Sequence, residues 1–233
     1  PSQSTWFVLA WIRQHDASSP GVAYVGTTGT TSLGTSVLYS WNSSGEGVDV
    51  VRVSTGVYDV MLFGQTSPLQ SVAHATSSGM FGHRCKIASW SNQDDKVVRV
   101  VCHNSQGLPT ESDFNMLFTA TRTPHGRPGS HAWLDRTTLT TYTPNILYQY
   151  ISLPGRVTAN NYQTGSSGFI QDVMFPSFTS QGIPIVTARG TDASYCNPSF
   201  EGYWQGAKHL YVRCHDRYGQ PTVTQATVSY LLP

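Results

Sequence analysis

Charge is what this chain has least of. Only 12% of its 233 residues are Asp, Glu, Lys or Arg, and just three are lysines, Lys86, Lys96 and Lys208; soluble domains usually carry about 25% charged residues. A net charge of +1 cannot supply the dense phosphate-neutralising surface on which nucleic-acid affinity depends, so nucleic acid is excluded as a partner. No run approaches the ~20 consecutive apolar residues of a membrane-crossing helix, and no window of about 11 residues shows a helical period. C-x-x-C, H-E-x-x-H, His-x-His, the EF-hand loop and the G-x-S-x-G elbow are all absent from the sequence, so no metal or cofactor is expected. Disorder is excluded from the other side, because 39% hydrophobic and 12% aromatic content is enough to build a core.

What remains is a surface wetted by Ser, Thr, Asn, Gln and Gly. Four cysteines fall as two local pairs, Cys85 with Cys102 and Cys196 with Cys214. An even cysteine count with few lysines points to an oxidising, extracellular setting; the alternative is four buried free thiols in a cytosolic protein. The opening Pro1-Ser2-Gln3-Ser4-Thr5-Trp6 has neither an initiating Met nor a signal-peptide pattern and reads as a mature or trimmed form. The one sequon, Asn42-Ser43-Ser44, matters only in a glycosylating host.

A duplication organises the chain. Cys102-His103-Asn104-Ser105-Gln106-Gly107-Leu108-Pro109 is echoed by Cys214-His215-Asp216-Arg217-Tyr218-Gly219-Gln220-Pro221, a shared C-H-x-x-x-G-x-P. Upstream, Gly56-Val57-Tyr58-Asp59-Val60-Met61 matches Gly168-Phe169-Ile170-Gln171-Asp172-Val173-Met174 with one insertion. Two copies of a unit of roughly 110 residues suit two β modules better than a solenoid. Short β-branched runs such as Val48–Val53, Lys96–Val101 and Ile183–Thr187, punctuated by Gly, Pro, Asn and Ser, read as strands. The expectation is all-β: two tandem homologous sandwich or barrel-like modules about a pseudo-twofold, residues 1–121 and 131–233, joined by a Pro/Gly-rich linker at 122–130.

The cysteine spacing fits hairpins. A turn at 91–95 places Cys85 opposite Cys102, and a turn at Gln205-Gly206 does the same for Cys196 and Cys214. Each bridge would then staple a hairpin, provided the pair is of the closer, non-hydrogen-bonded type. Pro198 predicts a bulge or an edge strand. A Cys-bearing strand ending near Trp90, a Val-rich strand ending at Cys102, then Gly107-x-Pro109 and a closing strand resemble a recurrent module of secreted bacterial proteins of unknown function. The resemblance covers about the last third of each half and is weaker around Cys196-Asn197-Pro198. It implies secretion and a disulfide-stapled hairpin, and no activity or catalytic residue.

Histidine is the first candidate for chemistry, since His103 and His215 occupy matching places in both copies. Either could act as acid/base, or simply cap its turn by bonding backbone. The hairpin register sets His103 opposite Arg84 and His215 opposite Tyr195, and Arg84 should oppose protonation of His103. A site of Tyr195, His215 and Arg189 or Arg213 is one option; carboxylate pairs Asp94/Asp95, Glu111/Asp113 and Glu201/Asp216 are others, and Asp94-Asp95 could also form a calcium turn. Strand aromatics such as Phe63, Phe118 and Tyr211 read as packing. Aromatics in polar, Gly-containing segments are the larger surplus: Trp41 and Asn42; Asn161 and Tyr162; Glu201, Tyr203 and Trp204. An exposed ring beside an amide or carboxylate offers a platform for a sugar face, or an anchor for a protein. The reading is of a secreted binder of carbohydrate or a cell-surface glycan. The alternatives are an extracellular polysaccharide-acting enzyme, hydrolase or lyase, and a protein-interaction or assembly module.

Overall fold

The computed structural model describes residues 21–65, 70–79, 82–91, 95–121, 127–138, 140–164 and 168–233. Trp6, Asp94 and residues 122–126 of the expected linker lie outside the described residues. Within these limits the chain is strands almost throughout, interrupted by one 3-10 turn, Ile146–Tyr148.

A four-stranded sheet runs β2 (Gly34–Asn42), β1 (Val22–Thr31), β8 (Phe114–Ala120), β5 (Ser71–Ser77). An eight-stranded sheet has two arms: β3 (Val48–Ser54), β4 (Val57–Leu62), β7 (Lys96–His103) and β6 (Arg84–Trp90), then β14 (Ile183–Arg189), β17 (Gln225–Leu231), β9 (Gly129–Leu134) and β11 (Gln149–Ile151). A five-stranded sheet runs β10 (Thr141–Tyr142), β12 (Thr158–Thr164), β13 (Gly168–Pro176), β16 (Ala207–His215), β15 (Tyr195–Trp204). The pairing order therefore recurs along the chain. β2-β1-β8-β5 and β3-β4-β7-β6 come first, and β11-β9-β17-β14 and β12-β13-β16-β15 repeat them, with β10 added at one edge.

Each set of strands buries its own apolar faces. Ala23, Val60, Ile87, Val98, Val100 and Phe118 lie in one cluster, and Leu134, Val173, Phe175, Leu210, Val228 and Tyr230 in another. The strands alternate because successive side chains leave a strand on opposite faces. Both disulfides close as the hairpin register requires, with Cα–Cα distances of 4.1 and 4.0 Å. Cys102 N–H donates to Gly56 O and its carbonyl accepts from Thr110 N–H, so its backbone bonds point away from Cys85 and the pair is the close type. β15 is an edge strand whose register shifts between Pro198 and Phe200, as its proline demands. Its hairpin turns at Gln205 (φ 52°) and Gly206 (φ 78°), the two left-handed residues of a tight turn that suits twisted strands.

The halves meet asymmetrically. β6 bridges β14 in parallel at Arg189 and Ile87, whereas β5 and β15, which hold the corresponding places, are not paired. Instead β5 is held in the bend of the eight-stranded sheet, one face on the apolar cluster and the other on β14 and β17. Its edge carbonyls are covered by hydroxyls: Thr227 Oγ1 donates to Ala73 O at 2.8 Å and Thr187 Oγ1 to Ala75 O at 3.5 Å. Covering an edge in this way blocks its pairing with other chains.

This contact is buried and polar. The His74 ring nitrogens lie 3.2 Å from Thr187 Oγ1 and 2.7 Å from Ser229 Oγ. His131 Nε2 lies 2.7 Å from the carbonyl of Gln70, which can only accept, and its Nδ1 is 3.2 Å from Thr119 Oγ1. Both rings are therefore fully partnered in the neutral form. Burial pushes His74 down to about 3, with His131 adding to the effect, and pushes His131 down to about 4. An unfolded histidine titrates near 6.5, so below that pH the unfolded chain binds protons that the native chain refuses. Stability is therefore expected to fall as pH drops from about 6.5 toward 4, by up to about 1.4 kcal/mol per pH unit for each ring. Melting temperature against pH checks this, and His131→Gln should flatten the acid limb.

Candidate functional site

The outer face of the five-stranded sheet carries the most developed surface. On β16, Leu210, Val212 and Cys214 enter the core, which turns His209, Tyr211, Arg213 and His215 outward. Register then sets Phe200, Tyr211, Asp172 and Asn160 in one row across four strands. Arg213, Ile170 and Tyr162 form the next row.

The aromatic rings on this face touch in series. Phe200 lies 6.3 Å from Trp204 and 5.4 Å from Tyr211; Trp204 meets Tyr211 edge-on at 5.9 Å; and Tyr162 meets Tyr211 edge-on at 6.2 Å. Phe200, on the edge strand, is 54% exposed, and Trp204, Tyr211 and Tyr162 are half-buried. Burial together with the Tyr211 phenol holds the Tyr162 hydroxyl protonated far above its usual range.

Under the strip sits a polar pair. His209 Nδ1 contacts both Asp172 oxygens at 2.9 and 3.1 Å, and the Trp204 ring lies flat on the imidazole at 3.7 Å. Burial pushes the Asp172 carboxyl up, and His209 opposes that shift. Gly202, opposite His209, leaves the space that this stack needs: a Cβ there would stand 2.4 Å from Trp204 Cζ3.

The residues expected from sequence are distributed unevenly. Tyr162 and Trp204 share the strip. Tyr203 is exposed but alternates to the other side of β15, where Glu201 accepts from Tyr230 Oη at 2.8 Å. Asn161 is buried, its amide donating to Arg136 O and Thr138 O. Asn42 is also buried; it donates to Gly47 O and Phe63 O and accepts from Ser44 N–H and Gln65 Nε2. Both amides hold loops through bonds to backbone carbonyls. Trp41 belongs to a separate patch on the first sheet, stacked with Tyr24 at 6.0 Å beside Tyr39. It also lines a depression of about 350 Å³ with Ser40, Ser43 and Glu46.

The duplicated motif has a structural job in both copies. Asn104 Oδ1 accepts from the N–H groups of Gln106 and Leu108, and Asp216 Oδ1 accepts from those of Tyr218 and Gln220. The turn is thus capped by the residue after the histidine, not by the histidine itself. His103 bonds the backbone of Thr191, and burial with Lys86 lowers its pKa; Arg84 contributes to the lowering at His215 instead. Lys86 pairs with Asp192 and donates to Ser194 Oγ at 3.0 Å, while Ser194 donates to Asp192 at 2.6 Å. These bonds tie the connection before β15 to β6.

Among the candidate carboxylates, Glu111 is engaged by Arg52 at 2.7 Å and by Tyr58 at 2.5 Å. Asp172 and His209 are not candidates on sequence grounds, and Tyr211 reads there as packing. The alternation His209-Leu210-Tyr211-Val212-Arg213 carried the signal: Tyr211, expected as packing, shares its face with two polar residues.

Removing His209 should leave Asp172 buried without its partner. His209→Ala is expected to cost about 3 kcal/mol, and His209→Ala with Asp172→Ala should recover part of that loss, both read from urea midpoints. No family model, curated protein or solved structure matches this chain.

Proposed function

We propose that the protein is a secreted carbohydrate-binding protein that holds a glycan along the outer face of the five-stranded sheet. The observation that carries the reading is the series Trp204, Phe200, Tyr211 and Tyr162 on one sheet face, with Phe200 exposed and the other three half-buried. A contiguous exposed aromatic patch has an energetic cost in water and marks a binding surface. The hydrogens of a sugar ring's apolar face stack on such rings, and their neighbours Arg213, Asn160 and Thr141 supply hydrogen-bonding groups at the hydroxyl edge. A series of rings along one sheet face suits an extended chain better than a single buried sugar. Two disulfides support an extracellular setting. Among the described residues no helix is long and apolar enough to cross a membrane.

The test is binding of the purified protein to a panel of immobilised polysaccharides, followed by calorimetry on the hits. Trp204→Ala and Tyr211→Ala should each weaken binding roughly thirty-fold, the scale of an interface anchor, while Trp41→Ala should have a smaller effect. Absence of binding to every polysaccharide overturns the reading. So does binding that survives loss of both Trp204 and Tyr211. Release of sugar from a bound polymer would make the protein an enzyme.

A further inference from the structure

Beyond Tyr211 the outer face of β16 continues through Arg213 to His215. From Tyr211 to His215 is four residue steps, about 13 Å at ~3.3 Å per residue. This end of the strip is built by both halves of the chain. The Arg84 guanidinium, from β6, lies 3.9 Å above the Tyr195 ring, and Tyr195 stacks with His215 at 5.3 Å.

Three nitrogens here, Arg84 Nη1, Arg213 Nε and His215 Nδ1, are buried yet have no hydrogen-bond partner. Among the described residues neither arginine makes an ion pair. Asp216 lies near enough for its charge to act on His215, with its Oδ1 accepting from the N–H groups of Tyr218 and Gln220, and Asp172 is held by His209. A buried donor without an acceptor is costly, and a guanidinium is built to meet a planar oxyanion. In a chain this poor in charge, Arg84 and Arg213 both lie close enough to His215 to lower its pKa, and among the described residues neither has an acidic partner.

We propose that the ligand is an acidic polysaccharide, with sugar rings on Phe200 and Tyr211 and a carboxylate or sulfate seated against Arg213, Arg84 and His215. This rests on the glycan reading above and narrows it to a chemical class.

Calorimetry of the whole protein against a polyuronate, a sulfated polysaccharide and a neutral glucan, each at low and high salt, tests it. The expected result is that an acidic polymer binds about tenfold or more tighter than the neutral one, the scale of a hydrogen bond to charge, and that salt weakens the acidic binding selectively. Whichever acidic polymer binds identifies carboxylate or sulfate. Arg213→Gln and Arg84→Gln should each remove most of the salt-dependent part, with thermal melts confirming that the variants fold. The salt dependence of the unaltered protein decides the question even if a variant does not fold. Equal, salt-independent binding of neutral and acidic polymers overturns the acidic ligand and leaves the glycan reading standing. Failure of all three polymers to bind overturns both.

Discussion

A strand can place only every second side chain on a given face, and β16 shows what that constraint builds. Leu210, Val212 and Cys214 fill the second core and anchor a disulfide, while His209, Tyr211, Arg213 and His215 are presented on the opposite face at fixed intervals. The core and the candidate surface are thus two sides of one strand. Paired strands, a stapled hairpin and the flat stack of Trp204 on His209 at 3.7 Å hold the aromatic strip in place, so a ligand of the proposed kind would meet a surface already ordered.

The second constraint is the join between the halves. β5 has an apolar face toward one core and a polar face toward β14 and β17, and its edge is closed by threonine hydroxyls rather than by another strand. A polar contact of this kind is tolerated only when every group finds a partner. His74 and His131 meet that condition as neutral rings, which links the assembly of the two halves to the proton. Arg84 of β6 also reaches the Tyr195 ring of β15, so the far end of the strip is built from residues distant in sequence.

Much of the local structure was legible from residue patterns. Alternating β-branched runs identified strands, hairpin spacing paired the cysteines, and Pro198 marked an edge strand with a bulge. Sequence also marked Tyr162 and Trp204 by their polar surroundings. It left the duplicated histidines open between acid/base and turn cap, and the cap is made by Asn104 and Asp216, which lie one residue on. Asn42 and Asn161 looked like ligand contacts because an amide in a polar loop has the same signature whether it faces water or backbone carbonyls.

By itself the amino-acid order determined the strands, their faces and the two hairpin bridges, because these follow from a period of two and from residues close along the chain. Which face stays uncovered was decided only in three dimensions. Tyr211 and His74 both sit on outward faces of strands, yet one meets solvent and the other is sealed against Thr187 and Ser229. That difference arises from how sheets distant in sequence pack on each other, and a strand's own pattern holds no record of what will lie above it.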